Sequence, residues 1–515
     1  MKKIIINIFI SIVAIMLISS CKKQLDLAPI SSISDANYWQ SPDQFDAFVS
    51  GLESRFRSHN AAFQALGELR SDIFGTEPGN ASAFTGEATQ GLERMWLQTI
   101  NLDNTGVSNF GGFYSNIVQL NLLINKLNTT NIVTATNKNY YLGMAYGMRA
   151  FYYFQILRSW GDAVIQTDPV TSFDISNLAK AASPEADVMA LVKSDIDNSV
   201  TSFGSNYTFR NSKSYWSKAA SLMLKAEVYL WTSHRTGGAA DATIALNALT
   251  DIQTNVPSLT LLPNFASVFA ATNKGNNEII LSIRYLNGES SMGFAQTLFL
   301  PQSGLIANFY DSVGNRKFDV NTDNWGGLLR APVKIATFRK FDDKDSRKWA
   351  SIQPAYNKVG ANYIIAGCFT NKYQGEQING SRVITNDFPI YRYADLLLMI
   401  AEAKVVLGQS PATEINQVRA RAFGANYVAA VHGFPNQPID VNPNNAILQE
   451  RLYEFVFEGK RWYDLRRMGD SYVYAVIPAS QFLNTDPTGR LLWAIDRNSL
   501  TNNRALVQNP GYAAF

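Results

Sequence analysis

Apolar and polar positions alternate with a helical period along most of this chain, and the interruptions mark its organisation. The first interruption is at the start. Ile4 to Ile18 is almost wholly apolar, Lys2 and Lys3 precede it, and Ser19-Ser20-Cys21 closes it. A basic start, a short apolar run and a small-residue stop form the pattern of a secretory signal. The run is shorter than the roughly 20 residues a spanning helix needs. Cleavage before Cys21, then acylation of its thiol and amine with palmitate among the chains, is expected to tether the mature protein to a bilayer. At about 0.8 kcal/mol per buried CH₂, several acyl chains hold where one does not. The expected organisation is a signal peptide over 1–20, a polar tether over 21–34, an N-terminal part over 35–255 and a C-terminal part over 256–515. The last two form one compact fold.

After the tether, Ser41-Pro42-Asp43-Gln44 reads as a helix start, with Ser41 as N-cap, Pro42 in the first helical position and Gln44 closing a capping box. Phe45, Phe48, Val49, Leu52 and Phe56 then form a core-facing stripe. Residues 75–112, rich in Gly, Asn, Ser and Thr around Trp96, read as a long surface excursion. Helical spacing returns over Phe113–Leu127, Tyr140–Trp160, Ser183–Ser199 and Tyr215–His234. Small and aromatic residues alternate on these helices, with Gly143, Ala145 and Gly147 permitting close approach, and this resembles the tetratricopeptide pattern. Over 257–385 the apolar runs are short, with one strand at Glu278–Tyr285. Helices resume at Ala394–Leu407 and Thr413–Phe423, and a last long one runs from an Asn444 cap through Ala446–Met468. The predicted fold is mainly α, built of tetratricopeptide-like helix pairs with a loop-rich ligand-binding face and a few short strands.

Charge and cysteine content narrow the function. The net charge of +3 falls to +1 once Lys2 and Lys3 leave with the signal, which argues against nucleic acid as a partner. With Cys21 committed to lipid, Cys368 is the single remaining thiol, so no internal disulfide is expected.

The C-terminal third carries a signature: Tyr391-Arg392-Tyr393-Ala394-Asp395-Leu396-Leu397-Leu398-Met399-Ile400-Ala401-Glu402-Ala403, then Glu414-Ile415-Asn416-Gln417-Val418-Arg419-Ala420-Arg421, then Glu450-Arg451 and Glu454-Phe455-Val456-Phe457-Glu458-Gly459-Lys460-Arg461-Trp462-Tyr463-Asp464-Leu465. Arg149-Ala150-Phe151-Tyr152-Tyr153, Trp160-Gly161-Asp162 and Asn509-Pro510-Gly511-Tyr512 extend it along the chain. Together these resemble the SusD/RagB family of outer-membrane nutrient-binding lipoproteins. One departure is Trp493-Ala494-Ile495-Asp496, where the family often reads Trp-Pro-Ile-Pro. The resemblance implies a lid over a SusC-type TonB-dependent outer-membrane barrel. It implies a ligand, an oligosaccharide or in some members a peptide, that is captured and passed on unaltered, with no catalytic residue, no cofactor and no metal.

The residues themselves bear on that expectation. Glu450, Glu454 and Glu458 stand at i, i+4 and i+8, where like charges repel on one helix. Their tolerance calls for cations from elsewhere, and Arg419, Arg421 and Arg461 complete the expected structural ion-pair network. Glu402 and Glu227, set among alanines, are assigned the same work. His59, His234 and His432 lack metal-ligand spacing, and no Gly-rich phosphate loop is present. Gly288-Glu289-Ser290-Ser291-Met292-Gly293 misses the nucleophile elbow by one residue. Cys368 reads as a core thiol. The abundance of acids leaves a surface glycoside hydrolase open as an alternative. A sugar site needs aromatic faces beside planar multi-bond partners. The loop segments offer Asp72, Glu77, Trp96 and Asn101, then Tyr310 and Trp325, with Arg70, Asn324 and Trp349 near them.

Overall fold

The computed structural model describes residues 38–76, 88–169, 179–311, 316–482 and 491–515. The signal, Cys21, the tether and Glu77 lie outside the described residues. Helix α1 (Pro42–Ser58) buries Phe45, Val49, Leu52 and Phe56, while Phe48 is half-buried at its edge. The Gln44 side chain accepts a hydrogen bond from the Ser41 backbone N–H at 2.9 Å, so this start is set locally. Helix α2 (Asn60–Glu68) follows at once, then α3 (Phe110–Thr129), α4 (Ala135–Trp160), α5 (Glu185–Phe203), α6 (Lys218–Thr232) and α7 (Gly238–Asn255). The C-terminal part adds α8 (Tyr393–Val406), α9 (Ala412–Phe423), α10 (Pro443–Phe455) and α11 (Arg461–Met468). Helix α4 packs on α3 and α5, α7 on α6 and α8, and α8 on α9 and α10.

Close packing accounts for the glycines of α4. A Cβ on Gly143 would stand 2.7 Å from the Phe203 ring of α5, and one on Gly147 only 2.2 Å from the Trp216 indole nitrogen. Arg149 locks the same joint: it grips both carboxyl oxygens of Asp195 on α5, at 2.8 and 2.7 Å, and donates to Asn121 on α3 at 2.9 Å.

Between α7 and α8 the chain forms three separate two-stranded sheets. Strand β1 (Ile279–Ile283) pairs antiparallel with β6 (Phe388–Arg392), β2 (Ile352–Val359) with β3 (Asn362–Thr370), and β4 (Glu376–Ile378) with β5 (Ser381–Val383). Every residue of β1 and β6 is buried, so this pair is part of the core. Short helices, such as Gly293–Phe299 and Ile335–Arg339, fill the rest of this region.

Three sequence expectations are corrected. Helix α7 was unmarked in the pattern, because Gly237-Gly238 precedes it and its buried face is largely alanine: Ala242, Ala245 and Ala248 with Leu249 and Ile252. The last long helix is two. It starts two residues earlier, capped by the Asn442 side chain with Pro443 in the first turn, and stops at Phe455. Phe457 and Gly459 then take positive φ values of 70° and 71°, and α11 begins at Arg461. The break brings the Gly459 carbonyl against α2, where a Cβ on Gly67 would stand 1.7 Å from its oxygen. The Glu68 carboxylate secures the turn by accepting from the backbone of Phe457 at 2.8 Å and Gly459 at 3.0 Å. Finally, residues 88–112 are not surface loop throughout: Met95, Trp96, Ile100, Leu102 and Val107 enter the core around a short helix, Glu93–Trp96.

Candidate functional site

The conspicuous acids of the signature meet their cations at the centre of the C-terminal part. Arg392, at the end of β6, donates to Glu278 at 2.8 Å, Glu454 at 2.6 Å and both oxygens of Glu458 at 2.9 Å. Arg421 reaches Glu278 at 3.1 Å and also binds Glu454. Arg419 holds Glu450 at 2.8 Å and Asp440 at 2.7 Å. Arg392 is unforeseen in the sequence, and two more such cations join it: Arg347 bridges Asp345, Glu450 and Glu454, and Lys372 binds Glu458 at 2.8 Å. Arg461 stands apart, paired with Asp72 at 2.9 Å. Glu402 pairs with Arg467 at 2.8 Å and Glu227 with Arg158 at 2.6 Å. Burial pushes the Glu454 and Glu458 carboxyls up, but the guanidiniums around them win and hold both below the ordinary carboxylate range. Both are held as carboxylates by these cations, with side chains wholly out of contact with solvent. That arrangement orders helices; it offers no acid–base pair.

The proposed ligand residues fall in several places. The two stretches named for the loop-rich face do meet: Phe74 bridges Val333, which bridges Cys368, and Lys334 N–H donates to the Ile73 carbonyl at 2.9 Å. Several of the named side chains point inward there. Asp72 is 9% exposed, held between Arg461 and Lys340 at 2.9 Å each. Burial raises its carboxyl, yet the two cations bring it below its ordinary value. Trp96 and Trp325 are 5% and 6% exposed, too enclosed to offer a ring face, and the Arg382 guanidinium covers Trp325 at 4.1 Å. Arg70 is fully buried, bound to Gln98 and to the carbonyls of Leu491 and Leu492. Asn101 is exposed, its side-chain oxygen closing a turn on the backbone of Asp103 and Asn104. Tyr310 is half-buried, edge-on to Tyr363 at 5.1 Å. Trp349 is the tryptophan that stays open, 43% exposed, backed edge-on by Phe338 at 5.4 Å next to the 332–334 crossing. Cys368, 1% exposed, lies in the core, where burial pushes its thiol up to about 12.

Two clefts among the described residues were not marked in the sequence. The first, about 380 Å³, lies between α1, the loop 211–215 and the segment after β1, with Glu53, Arg57, Asn211, Tyr215, Arg284 and Glu289 in its wall. Tyr215 is free to wall it because α6 starts later than the spacing suggests, at Lys218, with Ser217 as its cap. The second, about 480 Å³, is lined by Lys340, Asp342, His432, Asn436, Gln437 and Tyr453 and floors on Arg347 and Glu450. Its deep carboxylates are the Arg347-bound ones. No group of His, Cys, Asp or Glu among the described residues is arranged to hold a metal.

Known proteins share this architecture. The description of the SusD family matches residues 339–512. A SusD superfamily protein from Bacteroides vulgatus is 39% identical, with a TM-score of 0.83 over 92% of this chain and 100% of its own. The chain belongs to the SusD family. B. fragilis NanU is 43% identical with a TM-score of 0.86, covering 95% of this chain and 100% of its own. SusD-like protein P38 of Formosa agariphila is 27% identical, aligned over 98% of both sequences. The matched span of this SusD-family protein holds Arg347, Lys372, Arg392, Arg419 and Arg421 together with Glu450, Glu454 and Glu458. Most of the ion-pair network, Glu278 apart, therefore lies inside the matched span, and the first cleft lies outside it.

Proposed function

We propose that this chain is a non-catalytic lipoprotein of the outer membrane, anchored through Cys21 and facing the exterior, that captures oligosaccharides and delivers them to a SusC-type TonB-dependent barrel. Membership of the family along nearly the whole chain carries this reading. One member of the fold is named as a laminarin binding SusD-like protein, and a glycan is the ligand class the family resemblance implies. The state of the carboxylates supports binding over hydrolysis. A glycosidase needs one carboxylic acid beside one carboxylate, and Glu450, Glu454, Glu458 and Asp345 are instead committed to arginine or lysine. No described helix is long and apolar enough to cross a membrane, which is consistent with attachment by lipid over the tether 21–34. The ligand lies on the face where residues 70–76 cross 332–334, and Trp349 supplies a ring for a pyranose to stack on.

Calorimetry with a panel of plant, algal and host oligosaccharides, followed by chromatography of the recovered sugar after long incubation, tests this. Saturable heat with the glycan intact is the expected result. Cleavage of any bound glycan, or failure of every glycan in the panel while peptides bind, overturns it. Trp349→Ala weakens the measured affinity by about 1 kcal/mol or more, the worth of an aromatic contact.

A further inference from the structure

The first cleft holds an acidic and a basic side chain that the protein itself leaves incompletely matched. Glu53 is one. Asp195, Glu402 and Glu458 are clasped by arginine or lysine, and Glu68 accepts from two backbone N–H groups. Glu53 has neither. Its Oε1 accepts one hydrogen bond, from the Trp216 backbone N–H at 3.2 Å, and no ion pair reaches it among the described residues. Arg284 is the other. Among the described residues its Nε is buried without a partner and its one ion pair is a long one, 3.6 Å to Asp387, a carboxylate that Lys274 also binds. Arg57, between them in the wall, is already neutralised by Glu289 at 2.6 Å.

A half-buried carboxyl and a partly exposed guanidinium with spare hydrogen-bonding capacity each gain from a complementary ligand charge, so a ligand bearing both signs gains at both ends. We propose that this cleft binds a small zwitterion, its ammonium on Glu53 and its carboxylate on Arg284. The space of about 380 Å³ suits a small molecule, and Phe56, Ile283 and Leu286 give it an apolar wall against which a short aliphatic body packs. Glycan capture at Trp349 does not depend on this site, and the two succeed or fail separately.

Binding carries a proton signature. Burial pushes the Glu53 carboxyl up to about 8, so at pH 7 it is largely protonated in the empty cleft. The groups facing it are Tyr140 and Tyr152 from α4, Tyr215 from the loop, Arg57 on its own helix, and Arg284 and Glu289 after β1. None pairs with it among the described residues. An arriving ammonium favours the carboxylate, and the proton leaves to solvent.

The full chain is titrated calorimetrically with glycine, β-alanine, 4-aminobutyrate and 6-aminohexanoate, which scan the separation of the two charges, and with methylamine and acetate as single-charge fragments. At least one amino acid is expected to bind ten-fold or more tighter than either fragment. Its apparent heat at pH 7 varies with the ionisation enthalpy of the buffer, as proton release requires. Glu53→Gln keeps the acceptor for Trp216, and Arg284→Gln leaves Asp387 with Lys274. Each variant melts like the wild type and loses ten-fold or more in affinity, and Glu53→Gln abolishes the buffer dependence. Fragments that bind as well as the whole series, binding untouched by both variants, or no saturation below 10 mM overturns the proposal.

Discussion

Arg392→Met tests the central ion-pair network most directly. The substitution keeps an unbranched apolar stem against Phe455, over which the guanidinium now sits at 4.4 Å, and removes the charge. Three carboxylates, Glu278, Glu454 and Glu458, lose a donor at once, and the Glu454 carbonyl loses its 2.8 Å bond. All of these side chains are fully buried, so water cannot replace what is lost. Removing one partner from a buried pair costs about 3–5 kcal/mol. A chain of 515 residues unfolds with about 2.1 cal/mol/K per residue, which makes each kcal/mol worth about 1 °C of melting temperature. The expected loss is therefore about 3–5 °C by calorimetry at pH 7. Lys225→Met, which breaks the half-exposed pair with Asp197, costs at most about 1 kcal/mol. The pH dependence gives a second reading. Glu454 and Glu458 have folded values below the ordinary carboxylate range, so their stabilisation is complete above the unfolded value of about 4.3 and fades as pH falls below it. Without Arg392 the acids protonate earlier, and the gap between variant and wild type narrows from pH 7 to pH 4. A variant within 1 °C of wild type at pH 7, or a gap that widens in acid, refutes the buried network as drawn.

Two further outcomes follow from buried groups. Burial holds His59, bonded to the Tyr152 hydroxyl at 2.7 Å, down at about 4. Its stabilisation is complete above the unfolded value of about 6.5 and fades below it, by about 2 kcal/mol between pH 7 and pH 5. Chemical denaturation of His59→Gln across that window is expected to lack this contribution, its slope departing from that of the wild type by about 2 kcal/mol, and parallel slopes would count against the buried neutral ring. Cys368, with its thiol pushed up to about 12, is expected to resist a disulfide reagent in the native protein and react fully in denaturant. Labelling of the native thiol at the rate of the unfolded one would contradict its placement in the core.

What the sequence disclosed about this protein follows the range of each interaction. The start of α1 and its stripe from Phe45 to Phe56 were readable because cap, first turn and period lie within a few residues. The break after Phe455 was not. The positive φ at Phe457 is held by contact with Gly67 and Glu68, nearly four hundred residues away, while the local pattern of leucines and glutamates continues as if helical. The acids of the network were recognisable by their unfavourable spacing, but three of their cations were not: Arg347 lies 107 residues before Glu454, Lys372 86 before Glu458, and Arg392 62 before Glu454. Asp72, Trp96 and Trp325 were assigned to a ligand face because their sequence neighbours are polar. Burial depends on neighbours in space, and theirs are Arg461, the core around Met95, and Arg382.

The same reasoning separates what this family signature encodes from what the protein binds. Arginines such as Arg392 and Arg419 must each satisfy two or more carboxylates on different elements, so a change at one position strands charges at several others. Such residues are constrained by one another and not by any ligand. A surface ring such as Trp349, or a wall residue such as Asn211, carries no comparable obligation, and its replacement strands no buried charge. Recognition can then be rewritten on the loops while the helical stack stays as it is. The buried network thus marks the fold, and the chemistry of the ligand has to be sought among side chains that the network does not bind, such as Trp349 and the wall of the cleft that holds Glu53.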